Sequence, residues 1–110
     1  ITVVDSDSDR TISWAFDGAD EVDPAGGLIK GRGAAQLQEK ILAARSGGIS
    51  VLITPEKLVN NLGERMPVPV EVVQSARFLA ERELRKLGAS EVTLRMAEGK
   101  FGPIYTEARN

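Results

Sequence analysis

The sequence contains neither cysteine nor histidine. The first absence excludes disulfides, thiolate nucleophiles and cysteine-bound zinc. The second removes the commonest general acid–base, so any proton transfer falls to Asp, Glu, Lys or Tyr. An excess of positive charge is missing too. The net charge is -2, and no basic stripe of the kind a nucleic-acid groove needs is present. The apolar runs are far shorter than the about 18 residues that a membrane span requires. No signal peptide is visible, which makes the cytoplasm the expected compartment. At 110 residues the chain suffices for one small domain or parts of two. It opens at Ile1 without an initiator Met and stops at Arg109-Asn110, just after a strand-like run. Both ends read as cuts, so the expectation is an internal piece of a longer protein.

The first feature present is acidic: Asp5-Ser6-Asp7-Ser8-Asp9. A calcium loop of the EF-hand type needs Gly at its sixth position and Glu at its twelfth. Counted from Asp5 these are Arg10 and Phe16, so the segment reads as a solvated loop. Thr11 to Phe16 reads as a strand ending at Asp17-Gly18, with Trp14 and Phe16 in the core. Pro24, Gly26 and Gly27 mark a loop. Ala34, Leu37, Ile41 and Ala44 recur at helical spacing, predicting a helix from near Gly33 that Gly47-Gly48 stops. Ile49 to Ile53 is continuously apolar, as in a parallel strand buried on both faces. Thr54-Pro55-Glu56 reads as the start of a short helix carrying Leu58, Val59 and Leu62 and ending at Gly63. Strand, helix, strand, helix is the grammar of an open α/β sheet.

The pattern then changes. Pro67-Val68-Pro69-Val70 is extended and reads as a domain crossing. An amphipathic helix follows, with Val72, Ala76, Leu79, Ala80, Leu84 and Leu87 on one face, Arg77, Arg82, Arg85 and Lys86 on the wet one, and Gly88 after its end. Val92, Leu94 and Met96 alternate as in a half-buried strand, and 103–106 reads as another, with Tyr105 in packing. This is part of an α+β sandwich. The expected division is therefore 1–66 and 67–110.

Four features could carry chemistry. Asp17-Gly18-Ala19-Asp20-Glu21 places two carboxylates three residues apart just past a strand end, where open α/β sheets bind ligands. Lys30-Gly31-Arg32-Gly33 opens a helix; glycines let backbone approach a ligand, and a helix N-terminus offers free N–H groups to an anion. It matches neither a P-loop nor a dinucleotide fingerprint. Glu39 lies early in that helix, off the apolar stripe, and would serve as a general base if desolvation raised its pKa. Lys57 falls in the first turn of the next expected helix, where a cation opposes the dipole and a bound phosphate would remove the conflict. Each has a bland alternative: an Asp-Gly turn, a connecting loop, a surface Glu and a solvated Lys.

Taken in order, these segments resemble a known family. The residues are Asp17-Gly18-Ala19-Asp20-Glu21, Leu28-Ile29-Lys30-Gly31-Arg32-Gly33-Ala34-Ala35, Glu39-Lys40-Ile41, Lys57 and Pro67-Val68-Pro69-Val70-Glu71-Val72. Their combination and spacing resemble ribose-5-phosphate isomerase of type A from about Ile12 onward. The resemblance implies part of an open Rossmann-like parallel sheet with helices over 1–66, then part of a ferredoxin-like α+β lid over 67–110. It implies interconversion of D-ribose 5-phosphate and D-ribulose 5-phosphate through a cis-enediolate, without metal or cofactor. It assigns the general base to Glu39 and catalytic roles to Asp17, Asp20 and Lys30. Substrate contacts fall on Asp17, Gly18, Ala19, Asp20, Lys30, Gly31, Arg32, Gly33 and Lys57. The implied partner is a small sugar phosphate, with neither nucleic acid nor membrane, and the full-length protein is expected to be a homodimer or tetramer. The alternative is a non-catalytic sugar-phosphate-binding domain or an inactive fragment of the isomerase. The chain departs from the family at Arg32, where glycine is common, and at Thr106-Glu107-Ala108-Arg109-Asn110. The family's early glycine- and threonine-rich loop and its last helix and strand have no counterpart, which predicts weak activity for the piece alone.

Overall fold

Ala15, Phe16 and Asp17 form β1 (Ala15–Asp17), and their partners lie 34 residues later in β4 (Ile49–Val51). The two are parallel, with Ala15 opposite Ile49, Phe16 opposite Ser50 and Asp17 opposite Val51. A parallel pair needs a crossover, and here the crossover contains α1 (Gln36–Arg45). A bridge between Ile12 and Ser46 and a bond from Leu52 N–H to the Asp17 carbonyl (2.8 Å) extend the ladder at both ends. The computed structural model describes residues 2–5, 7–99 and 101–110. Ser6 of the acidic segment lies outside them. Among the described residues no helix is long and apolar enough to cross a membrane.

Between β1 and α1 runs a hairpin that the sequence periodicity does not announce. β2 (Glu21–Val22) and β3 (Leu28–Ile29) are antiparallel, with Glu21 opposite Ile29. Strands of two residues are too short for alternation to register. Asp23 shapes the turn: its Oδ1 accepts from Ala25 N–H (3.0 Å) and Gly27 N–H (2.7 Å), an Asx-type turn. Among the described residues the buried side chains larger than glycine, Ala15, Ile29, Val59 and Glu21, come from β1, this hairpin and the segment after β4.

Several expectations are overturned. Trp14 and Phe16 are exposed, at 53% and 66%, rather than core. Alternation turns Ala15 inward, and the two-stranded sheet leaves the opposite face uncovered. Leu52 is exposed on that same face, and Ile49, on the face of Ala15, is exposed as well, so the run 49–53 is not buried on both faces. The helix expected after Thr54 shrinks to one 3₁₀ turn, Pro55–Lys57, and Thr54 makes no capping hydrogen bond. Leu58 is extended and bridges Val22, because pairing with the free edge of β2 competes with helix continuation. Lys57 is thus the last residue of a 3₁₀ turn, and the dipole argument for it lapses.

Helix α1 begins at Gln36 rather than near Gly33, and its stripe residues Leu37 and Ile41 remain exposed. In the second half, a 3₁₀ turn (Gln74–Ala76) precedes α2 (Arg77–Lys86), so Val72 lies outside the helix. Leu79 and Leu87 on its apolar face are exposed. The stop at Gly88 is as read: Gly88 has φ +98, and Ala89 N–H reaches the Leu84 carbonyl (3.1 Å), a Schellman-type end. The strands expected at 92–96 and 103–106 reduce to one antiparallel bridge, Met96 with Pro103. Tyr105 is half exposed.

Candidate active site

Asp17 ends β1, and the backbone leaves the sheet at Gly18. Asp17 Oδ1 accepts from Gly18 N–H at 2.7 Å, which fixes the carboxylate at the carboxyl edge of the strand. Lys30, just past β3, meets it: Nζ lies 2.8 Å from Asp17 Oδ2 and also donates to the Gly18 carbonyl. The same ammonium lies 3.1 Å from Glu39 Oε2. That oxygen is buried and has no well-aligned hydrogen-bond donor among the described residues, so the contact is an ion pair. Asp20 faces the next turn, where its Oδ2 accepts from Arg32 N–H at 2.9 Å.

These groups line one cleft of about 180 Å³, formed by Asp17, Gly18, Ala19, Asp20, Lys30, Gly31, Gly33 and Glu39. Neither Arg32 nor Lys57 is among the lining residues: Arg32 is exposed and touches the cluster only through the bond from its N–H to Asp20. A larger cavity, about 280 Å³, is lined by Val22, Asp23, Pro24, Leu58, Val59, Asn60, Glu64 and Arg65. Its acids are structural. Asp23 holds the hairpin turn, and Glu64 accepts from Asn60 N–H at 2.8 Å.

Electrostatics explain the cluster's charge states. Burial pushes the Asp17 carboxyl up, but the Lys30 ammonium and the Gly18 N–H outweigh it, leaving its pKa below the ordinary 3.8. Burial pushes Lys30 down, and the carboxylates of Asp17 and Glu39 beside it overcome this, raising it above 10.5. The cleft therefore holds an ionised carboxylate and a persistent ammonium side by side.

The backbone of the glycine turn carries its own information. Gly31 has φ +108, and a Cβ there would sit 2.9 Å from Gln36 Oε1 and 3.2 Å from Pro69 Cβ. The conformation is what favours glycine here, and a Cβ would in addition displace the end of the Gln36 side chain and press on Pro69. The second left-handed residue is Ala34, at φ 61, not Arg32. Arginine at position 32 costs nothing in backbone strain, while a non-glycine residue held left-handed beside a cleft is the kind of strain that collects at functional sites. Sequence reasoning missed Ala34, Gln36 and Glu21. Glu21 is 1% exposed, and its carboxylate accepts from Gly63 N–H (2.6 Å), Arg65 N–H (2.8 Å) and Met66 N–H (3.0 Å). It ties 63–66 to the strand that follows Asp20. The run of acids at 17–21 was the available signal, but nothing in it separates the buried one from its neighbours.

Acids at a strand's carboxyl end, opposed by a glycine turn and a lysine, define an α/β protein with a site for a small polar molecule. Comparison with known proteins makes this specific. The family profile of ribose 5-phosphate isomerase A (phosphoriboisomerase A) matches residues 1–110. Ribose-5-phosphate isomerase A of Thermococcus kodakarensis is 48% identical over 110 residues, which is 100% of this chain and 48% of that protein. A solved D-ribose-5-phosphate isomerase in complex with phospho-erythronic acid superposes with a TM-score of 0.90 at 44% identity, covering 100% of this chain and 48% of the other. The ribose 5-phosphate isomerase A of Methanocaldococcus jannaschii gives 0.84 at 40% identity, covering 92% and 45%. The chain belongs to the ribose 5-phosphate isomerase A family. It spans about half the length of the curated relatives it matches.

Proposed function

We propose that this chain carries the catalytic cluster of an aldose–ketose isomerase that interconverts D-ribose 5-phosphate and D-ribulose 5-phosphate. The observation that carries the reading is the position of Lys30 Nζ between Asp17 Oδ2 (2.8 Å) and Glu39 Oε2 (3.1 Å), in one cleft with the glycine turn. Glu39 acts as the base: it takes the proton from C2 of the open-chain aldose, the C2 electrons form the C1–C2 double bond, and the C1 carbonyl oxygen becomes an enediolate oxygen. Lys30 faces that developing charge, where a fixed cation is most effective. Asp17 and Asp20 hold the sugar hydroxyls, assist ring opening and pass the proton between O2 and O1. Glu39 then returns its proton to C1, giving the ketose.

Gly18, Ala19, Gly31 and Gly33 shape the wall, and Arg32 and Lys57 supply cations outside the carboxylate cluster for the phosphate end. The phospho-erythronic acid held by a solved relative supports this assignment, because its carboxylate presents two coplanar oxygens, as a cis-enediolate does. Residues 1–66 form the Rossmann-like catalytic part and 67–110 the beginning of a ferredoxin-like lid. The full-length protein assembles as a homodimer or tetramer. The test is ketose formation from D-ribose 5-phosphate by the full-length protein and its Glu39→Gln variant. Turnover lost with ligand binding retained supports the base, and unimpaired turnover by the variant would falsify it.

A further inference from the structure

The glycine turn is gripped from the second half of the chain. Arg95 Nη2 donates to the Arg32 carbonyl at 2.7 Å, and Nη1 reaches the Gly31 carbonyl at 3.5 Å. Glu107 N–H donates to the Ala34 carbonyl at 3.0 Å. Gly31 itself is buried near Pro69.

The Gly31–Arg32 peptide is the centre of this arrangement. Its N–H points to Asp20 Oδ2 (2.9 Å), and its carbonyl accepts from Ala34 N–H (3.0 Å) and faces the Arg95 guanidinium. A peptide unit is planar, so its N–H and carbonyl turn together. Arg95 reaches this peptide by the long Nη1 contact to its carbonyl (3.5 Å) and grips the following Arg32–Gly33 peptide by the 2.7 Å bond, so Arg32 is held through the carbonyls on both sides of it, and with it the N–H that seats the Asp20 carboxylate. The planar guanidinium matches two successive carbonyls, which an ammonium cannot reproduce with the same geometry. Its side is largely exposed, so the bonds add little to stability and serve mainly to orient.

We propose that Arg95 is a positioning residue that locks the Gly31–Arg32 peptide from the 67–110 half, so that Lys30 and Asp20 hold their places only when that half is docked. This rests on the isomerase reading of the cleft. It makes the second half a determinant of turnover without placing any of its side chains on the substrate.

The test uses the full-length protein with Arg95→Ala, Arg95→Lys and, as a control on the reading itself, Glu39→Gln. Three experiments are made: kcat and KM on D-ribose 5-phosphate, amide exchange at Arg32 and Ala34, and rescue of Arg95→Ala by added ethylguanidinium. The expected result is a kcat about 10-fold or more lower in Arg95→Ala with KM changed by less than about 3-fold, as misplacement of a catalytic group gives. Exchange at Arg32 should accelerate selectively, Arg95→Lys should be intermediate, and ethylguanidinium should restore part of kcat. A kcat within about twofold of the parent with unchanged Arg32 exchange overturns the proposal, as does faster exchange throughout the protein without rescue, since that is plain destabilisation. If Glu39→Gln turns over normally, the isomerase reading fails instead, and Arg32 exchange still decides the role of Arg95.

Discussion

Lys30 Nζ lies 3.1 Å from Glu39 Oε2, so a single ion pair joins the turn before α1 to the first turn of α1. The pair is half-buried and shares its cation with Asp17. Two carboxylates are thereby held close together at the strand edge, which their mutual repulsion would otherwise oppose.

Replacing Lys30 by Met should remove both the cation and its restraint on the carboxylates. Under the isomerase reading, kcat should fall by about 10²–10³-fold, the range for loss of one group that stabilises a developing oxyanion. Steady-state kinetics at pH 7 decide the matter, and a kcat near that of the parent would remove Lys30 from the chemistry. The charge itself does not limit the pH range. A lysine whose folded pKa is raised contributes stability fully below the unfolded value of 10.5 and loses it only as pH climbs through the higher folded one.

Acid should act through Glu21. Burial pushes its carboxyl up, but the N–H groups of Arg65, Gly63, Met66 and Glu64 outweigh this and bring its pKa below the ordinary 4.5. A carboxyl with a lowered folded pKa stabilises the fold above its unfolded value and loses that contribution as pH falls through the folded one. The thermal midpoint should therefore drop as pH falls below 4.5, to which Asp17 adds through its own lowered pKa. Glu21→Gln should have a lower midpoint than the parent at pH 7 and a flatter acid limb. Parallel midpoint curves for the two proteins between pH 7 and 3 would show that the cradle at 63–66 is not the acid-sensitive element.

How far the sequence discloses this structure depends on the length scale of the signal. The crossover β1–α1–β4 was legible because α1 is three turns long and the flanking runs are apolar. The glycine turn and the acids at 17 and 20 were legible as chemistry, and the structure brings Asp17, Asp20, Lys30 and Glu39 to one cleft. Burial was not legible. Trp14, Phe16, Leu79 and Leu87 carry core-like patterns, yet they are exposed. Periodicity reports which residues share a face, and it says nothing about whether a layer covers that face. The 3₁₀ turn at Pro55–Lys57 shows the other limit. Thr54-Pro55-Glu56 has good local helix chemistry, but the edge of β2 takes Leu58 into a bridge, and tertiary pairing overrides propensity. Arg95 had no sequence signal because its partners are backbone carbonyls 63 and 64 residues away.

Gly48 offers a test of the exposed tryptophan. Although Trp14 is 53% exposed, its ring is seated closely: a Cβ at Gly48 would lie 2.3 Å from Cζ3 and 2.6 Å from Cη2. The indole Nε1–H donates to Ser50 Oγ at 2.8 Å, so the ring is fixed at both its flat face and its edge. Gly48 also gives its carbonyl to Ala15 N–H at 2.9 Å, in the ladder that ends at Asp17. Gly48→Ala must displace the indole, break the Ser50 bond or shift the ladder. An exposed ring can swing outward, so the cost should be about 1 kcal/mol, at the low end for overpacking. Trp14 is the single tryptophan, which makes its fluorescence a direct readout. In Gly48→Ala the emission should shift to the red and acrylamide quenching should rise, while Ser50→Ala should reproduce only the loss of the edge contact, with a smaller shift. Emission and midpoint both unchanged in Gly48→Ala would mean that the ring does not rest on Gly48 in solution.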